Sequence, residues 1–137
     1  MNKTILAIDD EESMLAFYTG ALSEFGVVRT AASFPETMQK LAGVDLILLD
    51  FNFEQAEKRN PEMLSGLKKA APIILCSWLL KREVQIMAAA RGFEGYWDKC
   101  SDYKLLRALV GSILNPGKTA APFQAFSENR PETKPRS

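Results

Sequence analysis

The sequence predicts an α/β domain whose helices cover both faces of a parallel sheet, an arrangement called doubly wound. Five short apolar runs alternate with segments in which apolar residues recur at helical spacing. That alternation is typical of strand–helix–strand units. The run at 45–50 is apolar throughout between its two acids, as expected of a central strand buried on both faces. With 137 residues, the chain is long enough for one domain with a substantial core.

Strands and helices follow one another in regular order along residues 1–114. The predicted strands are 4–8, 27–30, 45–50, 72–77 and 95–97. The predicted helices are 14–25, 33–41, 61–71, 80–91 and 101–114. Ser33 and Glu36 form a capping-box pattern at the start of the second helix, in which Met38 and Leu41 are the apolar positions. Glycines at 26, 43 and 92 are predicted stop signals for three of the helices.

Composition and charge exclude several classes of function. Seventeen basic and seventeen acidic residues give a net charge of zero, which argues against a nucleic-acid binder that relies on overall basicity. The chain has no histidine, so Ser-His-Asp catalysis, Cys-His catalysis and histidine metal sites are excluded. The two cysteines form no CxxC pair, and no apolar run resembles a signal peptide or approaches the ~20 residues of a membrane span. We therefore expect reduced thiols and a cytoplasmic location.

Residues 115–137 differ in composition from the rest of the chain. They contain four of the seven prolines, carry a net charge of +2 and show no apolar periodicity. Such a segment cannot offset its ordering entropy by burial. We therefore expect 115–137 to be a disordered tail or a linker, in which Phe123 and Phe126 are candidate docking residues.

Polar side chains follow the predicted strands at their carboxyl ends. They are Asp9, Asp10, Asp50, Ser77 and Lys99. In a doubly wound sheet the ligand site lies beyond these ends, where the strand order reverses. The acids, the hydroxyl and the ammonium are therefore expected to converge on one edge of the sheet.

This set of side chains suits phosphoryl transfer. Clustered carboxylates offer the hard oxygen ligands that suit Mg²⁺. A carboxylate is also a competent nucleophile toward an activated phosphoryl group, and Mg²⁺ with an ammonium would neutralise the transferring oxygens. Ser77 can donate a hydrogen bond to a phosphoryl oxygen, and Lys99 can pair with it as a point charge.

Four motifs, taken in order, resemble the receiver domain of bacterial two-component response regulators. They are Ile8-Asp9-Asp10-Glu11, Leu48-Leu49-Asp50, Pro72-Ile73-Ile74-Leu75-Cys76-Ser77 and Gly95-Tyr96-Trp97-Asp98-Lys99. Each motif is weak alone, but each lies at the end of a predicted strand, and the resemblance covers about residues 3–114. It implies a receiver domain over 1–114 with a flavodoxin-like (βα)5 fold and the parallel strand order 2-1-3-4-5.

The resemblance also implies roles for individual residues. Asp50 would be the phosphoacceptor, and Ser77 and Lys99 would contact the phosphoryl group. Tyr96 would be the aromatic residue whose position couples to Ser77, so that these two residues form the switch. The implied Mg²⁺ ligands are the carboxylates of Asp9, Asp10 and Asp50 and the backbone carbonyl of Asn52.

Three features depart from the family pattern. Cys100 follows the lysine where the family usually has proline, so we expect the loop that holds Lys99 to differ. The loop at 52–60 lacks the family's proline and glycine. Trp78 stands where the family usually has a small residue, and we expect its indole to cover the pocket and slow the phosphodonor.

The function implied is a phosphorylation-driven switch without substrate turnover. Its partners would be a sensor histidine kinase or phosphotransfer protein, a downstream protein or fused output domain, and a second copy through the fourth helix, fifth strand and fifth helix. No helix-turn-helix pattern or basic helix follows residue 114, so we expect neither direct nucleic-acid contact nor membrane contact.

Two other functions remain open from the sequence. A receiver-like interaction module that works without phosphorylation is favoured by Trp78, Cys100 and the altered loop, and opposed by the intact acids, Ser77 and Lys99. A phosphohydrolase of similar fold is less favoured, because Asn52 stands where a second acid would be needed. Each residue also has an ordinary structural explanation: the acids could cap turns and helices, Lys99 could be a surface lysine, and the aromatics could be core.

Overall fold

The sheet and its helices follow the predicted order. The computed structural model describes residues 2–52, 61–78 and 82–115. The strands are β1 Lys3–Ile8, β2 Gly26–Ala31, β3 Leu46–Asp50, β4 Ile73–Ser77 and β5 Gly95–Asp98. The helices are α1 Glu12–Leu22, α2 Phe34–Gln39, α3 Pro61–Ala70, α4 Arg82–Ala90 and α5 Tyr103–Leu114, with a 3-10 turn at Ser23–Phe25. Most of the altered loop at 52–60, the predicted start of the fourth helix and nearly all of the 115–137 tail lie outside the described residues.

The strand order confirms the expected topology. All strand pairs are parallel, and the order across the sheet is β2-β1-β3-β4-β5. The order reverses between β1 and β3, which is where ligands bind in such sheets. In the register, Asp50 pairs with Cys76 of β4, and Ser77 pairs with Asp98 of β5. The carboxyl ends of neighbouring strands are therefore nearly level.

The core lies on both faces of the sheet, because successive strand residues point to opposite sides. One cluster contains Leu6, Ile47, Leu49 and Leu75 and packs against α3 and α4. The other contains Ile5, Leu46, Leu48 and Ile74 and packs against α1 and α5. This two-sided burial explains why β3 and β4 are continuous apolar runs in the sequence. Within the described part of the chain, no helix has both the length and the apolar character to cross a bilayer.

Gly26 begins β2 as well as following the first helical segment. Its φ is +149°, and a Cβ placed there would lie 2.1 Å from the backbone oxygen of Lys3. Only glycine can let β2 approach β1 this closely. The residue is therefore required by strand pairing as much as by the end of a helix.

The second helix differs in detail from its predicted pattern. Ser33 Oγ accepts the backbone N–H of Glu36 at 3.3 Å, as in a capping box, but the Glu36 carboxylate accepts from the N–H of Ala32 at 2.6 Å. Thr37 is buried, and Met38 is 45% exposed. The Thr37 hydroxyl tolerates burial because it donates to the backbone oxygen of Ser33 at 2.8 Å. The prediction that Met38 is one of the core-facing positions of this helix is therefore wrong, because Thr37 is buried in its place.

Candidate functional site

Side chains from four strand ends meet at the carboxyl edge of the sheet. Asp9 directly follows β1, Asp50 ends β3 and Ser77 ends β4. Lys99 directly follows β5, and its backbone N–H donates to the Ser77 carbonyl at 2.7 Å. All four residues are buried. The parallel sheet thus brings together residues that are up to 90 positions apart in the sequence.

The Lys99 ammonium is the centre of this cluster. Its Nζ donates to Asp9 Oδ2 at 2.7 Å and to Asp50 Oδ1 at 2.6 Å. The Lys99 and Asp9 side chains are fully buried, and that of Asp50 is 3% exposed. A buried charge is tolerated only when it is paired and hydrogen-bonded, and here one cation serves two carboxyl groups. Lys99 is therefore a buried ion-pair residue and not the surface lysine that its type alone would suggest.

Burial and pairing act in opposite directions on the ionisation of this cluster. Burial raises the pKa of the Asp9 carboxyl, although hydrogen bonds from Lys99 and from the Glu11 backbone N–H oppose the shift. Burial would lower the pKa of Lys99, but its hydrogen bonds to Asp50 and Asp9 outweigh that effect and the pKa is raised. Lys99 therefore remains an ammonium at neutral pH, and its charge offsets the repulsion between the two acids.

Three carboxylates are close enough to share a metal ion. Ligand oxygens of Asp9, Asp10 and Asp50 all lie within 4.8 Å of one another, and Asp10 is exposed while the other two are buried. Asn52, whose backbone carbonyl the resemblance adds to this set, is an exposed residue two positions after Asp50. Hard oxygen donors with one open, solvent-facing side fit a small divalent cation such as Mg²⁺.

Trp78 lies beside the charged cluster, immediately after Ser77. Its indole Nε1–H donates to Glu11 Oε1 at 2.9 Å, and its ring centroid lies 5.5 Å from the Lys99 Nζ. The same Glu11 oxygen is 3.8 Å from the Lys99 Nζ. Trp78 is 44% exposed, so the indole forms part of the outer surface, whereas Asp9 and Asp50, the two acids that Lys99 binds, are buried.

The loop that follows β5 is fixed by hydrogen bonds. The Cys100 N–H donates to Asp98 Oδ1 at 2.9 Å, and the Ser101 N–H donates to the Asp98 backbone oxygen at 2.8 Å. Cys100 Sγ lies 3.4 Å from the Trp78 backbone oxygen. Among the described residues no peptide bond is cis, so the Lys99–Cys100 bond is trans.

Two neighbouring aromatics on β5 point to opposite faces of the sheet. Tyr96 is fully buried in the cluster that packs against α3 and α4. Trp97 is buried on the α1 and α5 side, where its ring lies parallel to that of Phe17 at 6.0 Å. Trp97 and Trp78 both line a pocket of about 520 Å³ between the start of α1 and the start of α5. Both aromatics are therefore buried in the core, and the switch role of Tyr96 stays a prediction.

Glu11 is the residue whose contacts the sequence did not indicate. It belongs to the Asp-Asp-Glu motif, but its partner Trp78 lies 67 positions away. Cys76 is similarly placed by the fold, since it pairs with Asp50 in the sheet and burial raises the pKa of its thiol to about 12. No local pattern predicts either contact, because each depends on which strands are neighbours.

The assembled site has the parts that a phosphoryl acceptor needs. Asp50 places a carboxyl group, a side chain that can act as a nucleophile, at the switch point of the sheet, with the Lys99 ammonium at 2.6 Å. Ser77 supplies a hydroxyl at the end of the adjacent strand. The remaining acids carry enough negative charge to hold a divalent cation beside the nucleophile.

Comparison with known proteins finds similar structures but no similar sequence. No family model matches the chain, and no curated protein matches it significantly. Among solved structures, a two-component response regulator from Clostridium difficile matches with a TM-score of 0.72 at 20% identity, over 86% of this chain and 100% of that one. The BeF3-activated receiver domain of DrrB, a Thermotoga maritima protein, matches with a TM-score of 0.65 at 20% identity, over 83% and 98%.

A third similar structure belongs to a longer protein. NtrX from Brucella abortus matches with a TM-score of 0.66 at 23% identity, over 83% of this chain but only 26% of its own. Residues 2–52, 61–78 and 82–115 of this chain therefore have the flavodoxin-like fold of response-regulator receiver domains.

Proposed function

We propose that this chain is a phosphorylation-dependent signalling switch in which Asp50 accepts a phosphoryl group. The observation that carries the proposal is the buried triad of Asp9, Asp50 and Lys99, in which one ammonium binds both carboxyl groups at 2.6–2.7 Å. Such a costly arrangement is hard to explain as a device for stability, because buried ion pairs are often no better than apolar packing. The receiver-like fold supports the same conclusion.

The chemistry follows from the positions of the side chains. An Asp50 carboxylate oxygen attacks the phosphorus of a phosphohistidine whose other ring nitrogen carries a proton. The P–N bond breaks as the P–O bond forms, and the histidine leaves as the neutral imidazole that retains this proton. Lys99 then moves its hydrogen bond from the Asp50 carboxylate to a phosphoryl oxygen, and Ser77 donates to another. Mg²⁺ held by Asp9, Asp10, Asp50 and the Asn52 carbonyl would supply charge neutralisation for the transferring oxygens.

The output is a change of surface and not the turnover of a substrate. Ser77 and Tyr96 are the proposed switch residues, because a hydrogen bond from the Ser77 hydroxyl to a phosphoryl group would move the β4 end toward Asp50. The surface that responds is that of α4, β5 and α5, on which Ile86 is already 60% exposed. A downstream protein, a fused output domain or a second copy of the chain would bind this surface in the cytoplasm.

The partner that supplies the phosphoryl group is proposed to be a sensor histidine kinase or a phosphotransfer protein. Phosphoryl loss would be slow hydrolysis of the aspartyl phosphate, so no external substrate is turned over. The residues at 115–137 are proposed to be a tail or linker beyond the 1–114 domain.

Intact mass after incubation with Mg²⁺ and acetyl phosphate tests the proposal directly. We expect one added phosphoryl group on the native chain and none on Asp50→Asn. Asp102→Asn is the matched control, because it makes the same chemical change at the exposed N-cap of α5, where asparagine caps as well as aspartate. An adduct on Asp50→Asn, or no adduct on a folded wild-type chain that has bound Mg²⁺, would overturn the proposal.

An interaction module that works without phosphorylation is the second candidate. The observation that favours it is the Trp78 indole, which is hydrogen-bonded to Glu11 at 2.9 Å beside the buried acids. In that case partner binding would be equal for the wild type and for Asp50→Asn. Tighter binding of a partner after phosphorylation would exclude it.

A further inference from the structure

We propose that the hydrogen bond between Trp78 and Glu11 is a latch across the phosphoacceptor site, and that a phosphodonor reaches Asp50 only when this latch opens. The inference rests on the proposed function, and it adds a regulatory element to the same site. The latch consists of this one pair of side chains.

The position of the latch follows from the strand order. Glu11 lies just beyond β1, and Trp78 directly follows β4. In the sheet, β3 lies between β1 and β4, and Asp50 is its last residue. A hydrogen bond from Trp78 to Glu11 therefore spans the end of the strand that carries Asp50.

The latch is also joined to the charged cluster beneath it. Glu11 Oε1 accepts the indole N–H at 2.9 Å and lies 3.8 Å from the Lys99 ammonium. The face of the Trp78 ring is 5.5 Å from the same ammonium, within range of a cation–π interaction. Lys99 therefore attracts both halves of the latch while it also binds Asp50.

The backbone at each end of the latch makes a further contact. The Glu11 N–H donates to Asp9 Oδ1 at 2.9 Å. The Trp78 carbonyl is contacted by Cys100 Sγ at 3.4 Å. The two side chains can separate without moving these anchors, because only their own torsions need to change.

The latch is weak enough to open. Trp78 is 44% exposed, and the Glu11 side chain is 47% exposed. An exposed hydrogen bond competes with water and contributes only a small net free energy. In contrast, the side chains of Asp50 and Lys99 are 3% and 0% exposed. These two residues therefore stay in place while the latch opens and closes. The latch therefore sets the fraction of molecules in which the site is open to a donor.

A double-mutant cycle on the rate of acetyl phosphate labelling tests the latch. Trp78→Phe keeps a ring but removes the N–H, and Glu11→Ala removes the acceptor. Each is expected to label about tenfold faster than the wild type, as for the loss of one hydrogen bond to a charged group. The double variant should label no faster than either single variant, because the same contact is lost in all three. Rate increases that multiply in the double variant would overturn the latch.

Two further variants separate the latch from a simple effect of charge. Glu11→Gln removes the charge but keeps an oxygen that accepts the indole N–H, so its rate should lie between that of the wild type and that of Glu11→Ala. A Glu11→Gln rate equal to that of Glu11→Ala would overturn the latch in favour of charge repulsion. Glu12→Ala is the matched control, because it removes the neighbouring exposed carboxylate and should leave the rate near the wild-type value.

Hydrogen exchange of the indole N–H gives a readout that does not need phosphorylation. The chain has two tryptophans, and the Trp97 N–H, which donates to the Asp102 carbonyl, is the internal reference. Exchange at Trp78 should be faster in Glu11→Ala, while exchange at Trp97 should be unchanged. Equal exchange at Trp78 in the two proteins would overturn the latch. If no variant takes up a phosphoryl group, the proposed function fails, and the exchange rates still decide whether the latch exists.

Discussion

The floor of the candidate site and its cover are built in different ways. The floor consists of Asp9, Asp50 and Lys99, which are buried and held by two hydrogen bonds of 2.6–2.7 Å. The cover consists of Glu11, Trp78 and Cys100, which are exposed and are joined to one another by the indole hydrogen bond and one sulfur contact. Each floor residue ends or directly follows a strand, whereas of the cover residues only Trp78 does so.

This difference means that the fold depends on the contacts of the floor but can lose the contacts of the cover. Loss of a floor contact leaves a buried charge without a partner, which costs several kcal/mol. Loss of a cover contact exposes groups that water can satisfy, so it costs little. Substitutions in the floor should therefore act on stability and chemistry together, and substitutions in the cover should act on access.

The largest effect is expected from Lys99→Met. Without the ammonium, Asp9 and Asp50 remain buried beside each other, and the free energy of unfolding at pH 7 without divalent ions should fall by about 3 kcal/mol. Burial already raises the pKa of Asp9, and the loss of Lys99 should raise it further. An acid with a raised folded pKa stabilises the fold below its unfolded pKa, and this contribution is lost as the pH rises through the folded value. The loss should therefore be smaller at pH 4 than at pH 7.

Urea unfolding of the wild type and Lys99→Met at the two pH values measures this effect. Lys40→Met is the matched control, because Lys40 forms a partly exposed ion pair with Glu36 at 3.7 Å. Its loss should be under about 1 kcal/mol. Equal losses for the two lysine variants would show that the floor has no special electrostatic role.

A smaller effect, on access alone, is expected from Trp78→Ala. Removing the indole should raise the rate of acetyl phosphate labelling by about tenfold, because the hydrogen bond to Glu11 is lost. The melting temperature should change little, since Trp78 is 44% exposed. Tyr103→Ala is the control, because Tyr103 is an aromatic of similar exposure (45%) that lines the same pocket from the first residue of α5. Equal labelling rates for the wild type and Trp78→Ala would mean that the indole does not obstruct the donor.

The smallest effect is expected from thiol alkylation, which compares one cysteine of each region. Cys100 in the cover is exposed, whereas Cys76 lies beside Asp50 in the sheet and is fully buried with a pKa of about 12. Iodoacetamide at pH 8 should add one group to the native chain and two to the unfolded chain, as read by intact mass. Cys100→Ser should take up none while folded. A native adduct at Cys76 would show that the floor opens more readily than its burial implies.

The residues of the floor could be identified from the sequence because strand ends are visible there. Asp50 closes a continuous apolar run, and Asp9 and Lys99 follow two others. Once those runs are assigned to one parallel sheet, their carboxyl ends must share an edge. Details within elements were less predictable: Met38 looked like a core position, but Thr37 is buried because its hydroxyl bonds back to Ser33.

The contacts of the cover could not be predicted in the same way. The sequence indicated that Trp78 would lie near the pocket, since it follows Ser77. It did not indicate Glu11 as the partner, because that pairing depends on β3 lying between β1 and β4 and on the torsions of two exposed side chains.

The sequence by itself determined the five strands, the two-sided core and the acids, hydroxyl and lysine that gather at one edge. It could do so because burial imposes apolar periodicity along each element, and parallel strands align their ends. Only the tertiary structure decided that one ammonium binds two buried carboxyl groups and that the indole beside this ammonium is hydrogen-bonded to Glu11. These pairings join residues 49, 67 and 90 positions apart, so they are set by strand order and side-chain geometry and leave no periodic trace in the chain.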